Sequence, residues 1–257
     1  MYDRIVVSDQ SFRPFTLVLL PGLDGTGNLF APLVPELPRA LRVIIAPYPH
    51  DRFLSYPELV RWLGGFVPTD GPFAILGESY GSTLAVKFAA THPPNLTGVI
   101  LCAGFISNPV RKWGPLAKLL ARPWFFRFRP PDFLREYFTL GSGAPESLKL
   151  ILRRTVRSIN TEAFAKRARA TIDCDARQEI REVKVPLLYL QAANDRLVGS
   201  ECLDEIKRLH PATISILIRA PHLLLQREPR VAAQAITRFL ETHCRRKDSG
   251  AESSSTR

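Results

Sequence analysis

The fold class this sequence predicts is α/β, a mostly parallel central sheet flanked by helices and carrying a helical insertion. Three observations carry that expectation. Apolar runs of strand length recur, at residues 15–20, 73–76, 98–103 and 214–218. Strands that are apolar throughout, rather than alternating, are buried on both faces, as parallel strands are. From the second strand onward helix-like stretches alternate with the strand-like ones, except over residues 105–180, where several follow one another between prolines.

The elements follow in order. Phe15-Thr16-Leu17-Val18-Leu19-Leu20 reads as the first strand, and 41–46 as the second. A helix is expected at 56–66. Phe73-Ala74-Ile75-Leu76 opens a strand over 73–77, and Ser82 to Ala90 continues into a helix over 81–91. A further strand covers 98–103. Helical stretches around 113–121, 131–139, 145–158 and 161–170 fill the insertion, with prolines at 109, 115, 123, 130, 131 and 145. Val185-Pro186-Leu187-Leu188-Tyr189-Leu190-Gln191 gives a buried strand at 186–191, then a helix at 201–208, a strand at 213–218 and a helix at 229–242. Ile5-Val6-Val7 offers an additional edge strand. The resulting division is a core of residues 1–104 and 181–244, an insert of 105–180, and a polar, serine-rich tail of 245–257 expected to be disordered.

A chain of 257 residues with 46% apolar content supports one domain with a full core. Its four cysteines, Cys102, Cys174, Cys202 and Cys244, have neither metal nor disulfide spacing, which suits a reducing cytoplasm. Met1 to Phe12 holds no apolar core of signal-peptide length, and no run approaches the ~18 apolar residues of a membrane span. No metal and no cofactor is expected, because the five histidines show no ligand spacing.

Gly77-Glu78-Ser79-Tyr80-Gly81 lies between the strand at 73–77 and the helix that follows. A serine hydroxyl needs a base to become a nucleophile. A sharp strand-to-helix turn lifts that hydroxyl into a cleft, and only small neighbours fit beside it, hence the two glycines. A lone Gly-x-Ser-x-Gly is weak, but here the strand and helix stand on the required sides. The base should be a histidine held by an acid, in chain order Ser, Asp or Glu, His. His222 directly follows the run at 214–218, at the carboxyl end of a buried strand, where open α/β sheets place their sites. The alternative is a histidine capping the next helix. His50, His92, His210 and His243 lack the order or the setting. Asp195 follows the strand at 186–191 in Asn194-Asp195-Arg196 and is the candidate acid; a helix cap near Ser200 is its alternative role, and Asp173 and Asp175 are fallbacks.

The first strand ends in Pro21-Gly22-Leu23-Asp24-Gly25-Thr26-Gly27-Asn28. Such a loop can present bare backbone N–H groups to a ligand. It matches neither Gly-x-Gly-x-x-Gly nor a Walker A pattern, so phosphate cradling is the weaker reading. The stronger one pairs the N–H of Leu23 with that of Tyr80 as an oxyanion hole. Asp24 is expected to bond within its own loop.

With these residues in place the chain resembles the α/β-hydrolase-fold serine hydrolases, esterase- and lipase-like, over roughly residues 12–242. The resemblance implies Ser79 as nucleophile, Asp195 as acid, His222 as base, Leu23 and Tyr80 as oxyanion donors, and a helical cap at 105–180. Pro21 departs from the pattern, since many relatives carry a histidine there. The implied activity is hydrolysis of a small-molecule carboxylic ester through an acyl-enzyme. A thioesterase or acyltransferase acting on an acyl-CoA or acyl-carrier substrate is the alternative, amide hydrolysis stays open, and a non-catalytic binding protein on the same fold is a third reading.

The net charge is +11, and residues 105–180 hold 15 basic against 7 acidic residues. Arginines interleave with aromatics over 122–129, and Arg153, Arg154, Arg157, Lys166, Arg167 and Arg169 follow. This charge suits either a solvated helical face or a surface for an acidic partner or anionic substrate. Nucleic acid is disfavoured, for no binding motif accompanies the charge.

Overall fold

The computed structural model describes residues 15–110 and 131–244. The expected edge strand at 5–7, the helix at 113–121, the arginine–aromatic segment at 122–129 and the tail at 245–257 lie outside the described residues. Six strands form one sheet: β1 (Phe15–Leu20), β2 (Leu41–Ile45), β3 (Phe73–Glu78), β4 (Leu96–Cys102), β5 (Leu187–Ala192) and β6 (Ile214–Ile218). Every neighbouring pair is parallel, in the spatial order β2-β1-β3-β4-β5-β6. The all-apolar strands β1 and β3 are buried along their whole length, as their sequence requires.

The helices are α1 (Tyr56–Leu63), α2 (Tyr80–Ala89), α3 (Asp132–Thr139), α4 (Glu146–Ser158), α5 (Thr161–Ile172), α6 (Glu179–Glu182), α7 (Glu201–Leu209), α8 (Leu224–Arg227) and α9 (Pro229–Phe239). A π-helical turn, Leu240–Cys244, continues α9. The helix expected to reach residue 242 therefore changes pitch at 240. The short helices α6 and α8 were too brief to leave a periodic signature. Alternate residues of each strand feed two cores. Val18, Leu20, Phe73, Ile75, Val99 and Leu101 pack beneath α1, α2 and α7. Leu17, Leu19, Ala74, Leu76, Ile100 and Leu188 pack beneath α8 and α9.

Between β4 and α6 the alternation is interrupted by α3, α4 and α5. A separate apolar cluster joins this segment to the core, with Leu140, Leu148 and Leu152 meeting Leu29 and Leu223. The chain runs from β1 out to β2 at the sheet edge, then returns to place β3 on the other side of β1. Such a reversal puts the carboxyl ends of β1 and β3 at the usual position for a ligand site in a parallel sheet.

Candidate active site

Ser79 stands between the end of β3 and the start of α2, at φ 51°. Its N–H donates to the Cys102 carbonyl at 2.8 Å, which ties the turn to β4. A Cβ on Gly77 would lie 2.2 Å from the Gly81 carbonyl oxygen. A Cβ on Gly81 would lie 2.6 Å and 2.7 Å from the Leu20 and Pro21 oxygens. The two glycines thus let α2 press its first turn against the end of β1. Ser82 Oγ closes the turn by donating to the Gly77 carbonyl at 2.7 Å.

The structure brings the three distant side chains together. His222 Nε2 lies 3.0 Å from Ser79 Oγ, and His222 Nδ1 lies 2.8 Å from Asp195 Oδ2. The other Asp195 oxygen accepts from the Leu197 and Val198 N–H groups at 2.8 and 2.9 Å, which holds the carboxylate in plane for the imidazole. Asp195 sits just past β5 and His222 just past β6, at the same end of the sheet as Ser79. Asp173 instead pairs with Arg169, and Asp175 with Arg177. His210 bonds Thr213 beside β6, and His243 packs on Phe239.

Burial pulls the His222 pKa down, but the Asp195 charge and hydrogen bond, with Glu78 adding, outweigh it and leave the pKa raised. Glu78, adjacent to the serine, is 1% exposed. Burial pushes its carboxyl up to about 7, against the hydrogen bond from Gln226 and with the Asp24 charge assisting. Gln226 Nε2 donates to Glu78 Oε1 at 2.9 Å and to the Leu29 carbonyl at 3.1 Å. The sequence offered no hint of this buried acid beyond its place in the pentapeptide.

The loop after β1 lies against the elbow, with the Gly22 Cβ position 3.7 Å from Ser79 Cβ. Asp24 bonds within its own loop, as expected, accepting from the Thr26 N–H and hydroxyl at 2.9 and 2.6 Å. Among the described residues the N–H groups of Leu23 and Tyr80 donate to no protein acceptor. Two side chains hold this loop: Tyr48, whose hydroxyl donates to the Pro21 carbonyl at 2.7 Å, and Arg167 from α5, which the sequence marks only as one of a run of basic residues. Neither stands in a motif, so no local signal tied them to the loop.

The segment between β4 and α6 also reaches the site. Leu223 N–H donates to the Thr139 carbonyl at 2.9 Å, and Arg196 stacks 4.2 Å over the Tyr137 ring. Arg153, Lys166 and Arg169 of this segment lie in ion pairs with Glu136, Glu162 and Asp173. No group of histidine, cysteine and acidic side chains suited to a metal occurs among the described residues. No helix among them is long and apolar enough to cross a membrane.

Comparison with known proteins gives a family and a shared fold. Residues 66–225, more than half the chain, match the family described as serine aminopeptidase, S33. A protein of Serratia proteamaculans, provisionally named carbamate hydrolase RutD, is 23% identical, covering 80% of this chain and 82% of that one. A lipase–esterase related protein of Clostridium acetobutylicum superposes with a TM-score of 0.74 at 14% identity, over 91% of this chain and 97% of that chain. An esterase of Exiguobacterium antarcticum gives 0.74 at 16% identity, over 88% and 92%. These solved structures share the fold.

Proposed function

The chain belongs to the serine aminopeptidase S33 family of α/β-hydrolase-fold serine hydrolases, and we propose that it cleaves a carboxylic ester through a Ser79–His222–Asp195 acyl-enzyme mechanism. The observation that carries the reading is the unbroken contact chain from Ser79 Oγ through both imidazole nitrogens to Asp195. Ser79 Oγ attacks the acyl carbon while His222 Nε2 accepts its proton. The acyl oxygen, now carrying the charge, receives hydrogen bonds from the Leu23 and Tyr80 N–H groups, each worth roughly 3 kcal/mol at the transition state. Asp195 stabilises the imidazolium. His222 then hands its proton to the leaving alkoxide, and the C–O bond breaks. A water molecule, deprotonated by His222, attacks the acyl-enzyme. Return of that proton to Ser79 frees the acid. The segment of residues 105–180 acts in this reading as a cap over the site.

Esters are favoured because the solved structures that share the fold include a lipase–esterase related protein and an esterase. Acyl–nitrogen cleavage is the second reading, supported by the carbamate hydrolase name of the Serratia relative and by the family description. Fluorophosphonate labelling of wild type and Ser79→Ala, beside p-nitrophenyl esters of two to sixteen carbons, the matching anilides and an acyl-CoA, tests all of these together. Wild type alone should label and should turn over esters faster than anilides. Labelling of Ser79→Ala, or undiminished turnover by it, would overturn the proposal. Faster anilide cleavage would move the second reading ahead, and a salt-sensitive preference for acyl-CoA would favour the thioester alternative.

A further inference from the structure

Arg167 is 2% exposed, yet it forms no ion pair with an acidic side chain among the described residues. Taking a guanidinium out of water costs several kcal/mol unless its donors are satisfied. Here they are satisfied by backbone. Nη1 donates to the Leu23 and Asp24 carbonyls, both at 3.2 Å, and Nη2 to the Pro49 carbonyl at 2.9 Å. The guanidinium also lies 5.4 Å from the centre of the Tyr48 ring. Gly25, at φ 70°, passes so close that a Cβ there would sit 2.6 Å from Arg167 Nη1.

With Arg167 in place, five successive carbonyls of the loop have named donors. Pro21 accepts from the Tyr48 hydroxyl, Gly22 from the Gly25 N–H, Leu23 and Asp24 from Arg167, and Gly25 from the Tyr48 N–H. A peptide plane carries its N–H opposite its C=O. The Leu23 N–H shares its plane with the Gly22 carbonyl, which the Gly25 N–H holds, and Arg167 braces the next two planes through the Leu23 and Asp24 carbonyls, which limits how far that N–H can turn. That N–H lies in the stretch of loop beside Ser79.

We propose that Arg167 is a positioning residue for the oxyanion hole: from α5 it holds the carbonyl side of the Pro21–Gly25 loop so that the Leu23 N–H faces the acyl oxygen. This rests on the serine-hydrolase reading above. It also makes α5, an element outside the alternating core, a structural part of the catalytic geometry. A guanidinium suits the task because its planar fork reaches carbonyls on two strands of loop at once, which a lysine ammonium does not.

The test uses the full chain as wild type, Arg167→Met, Arg167→Lys, Tyr48→Phe and Ser79→Ala. The ester found by the labelling assay serves as substrate, and a trifluoromethyl ketone of the same acyl chain as transition-state mimic. Misplacing one donor by about 1 Å costs on the order of a hundredfold in rate. Arg167→Met should lower kcat by ten- to a hundredfold, roughly, with KM little changed. Ketone affinity should fall by the same factor as kcat/KM, and the acid limb of the pH profile should stay in place. Arg167→Lys should recover part of the loss, and Tyr48→Phe should show a smaller loss in the same direction. Variants that melt earlier but keep wild-type kcat and ketone affinity well below their Tm would overturn the proposal, leaving Arg167 a structural tie only. Should Arg167→Met fail to fold, Arg167→Lys and Tyr48→Phe decide between the same outcomes. An inactive wild type, or an active Ser79→Ala, would instead reject the hydrolase mechanism itself.

Discussion

Ser79 occupies a backbone conformation, φ 51°, that L-residues seldom adopt and that costs on the order of 1–3 kcal/mol. The surrounding bonds to Cys102 and from Ser82 hold it there. The reward is a hydroxyl clear of the sheet and within 3.0 Å of His222. His222 must be neutral to accept a proton, and its pKa in the fold is raised. Activity should therefore rise with pH along a limb centred above the ordinary histidine value of about 6.5. Asp195→Asn should move that limb down and cut kcat by about 10⁴-fold. A wild-type limb below 6.5, read from kcat/KM against pH, would contradict the arrangement. Glu78, raised to about 7, has a charge interaction with His222, so its ionisation also bears on that limb. For stability its sign is the same as that of His222, whose pKa is also raised. The folded carboxyl is raised from 4.5 to about 7, so the folded state binds the proton more tightly. Stability is complete below the unfolded value and declines as pH rises through about 7. Glu78→Gln, which cannot ionise, should gain on wild type by up to roughly 3 kcal/mol between pH 4 and pH 8. Denaturant midpoints across that range check it, and parallel pH slopes for the two proteins would refute it.

At the scale of elements, the strand–turn–helix unit β3–α2 was legible because each part carries its own signal. The strand is apolar throughout, the turn is Gly-x-Ser-x-Gly, and the helix opens on small residues. Gly77 pairs with Leu20 on one side and Leu101 on the other, so it stands in the middle of the sheet. Gly77→Ala forces its methyl into the backbone of Gly81, which cannot rotate away as a side chain could. We expect a loss of at least about 3 kcal/mol, or no soluble protein, against about 1 kcal/mol or less for an exposed glycine such as Gly65. Equal thermal shifts for Gly65→Ala and Gly77→Ala would argue against so tight an elbow. Strand positions were read to within one or two residues, because the inner strands are buried on both faces and stand out as short continuous apolar runs. Helix ends were read less well. The helix expected at 56–66 stops at Leu63 and the chain turns at Gly64 and Gly65, while α2 begins one residue early because its first N–H groups serve the turn.

Across the whole molecule, chain order and sheet order do different things. The order Ser79, Asp195, His222, each after an apolar run, was visible in the sequence, and so was the parallel class of the sheet. Both depend on local properties: side-chain size, hydrophobic period and turn chemistry, all of which are written residue by residue. The contacts that give the site its electrostatics were not visible. Glu78 is buried against Gln226 at a separation of 148 residues, and Arg167 meets Leu23 at a separation of 144. The basic residues of the insertion read as one cationic run, yet in space Arg153 and Arg169 have acidic neighbours and Arg167 is enclosed. A charge in sequence carries no record of its distant neighbours. Whether a carboxyl is solvated or desolvated, and whether a guanidinium meets water or a loop carbonyl, depends on packing between elements far apart in the chain. The sequence by itself therefore determined the fold class, the candidate nucleophile and the order of its partners. The tertiary structure alone decided the hydrogen-bonded geometry, the raised pKa values of His222 and Glu78, and the hold of Arg167 on the loop, because each of these is a property of distance and burial.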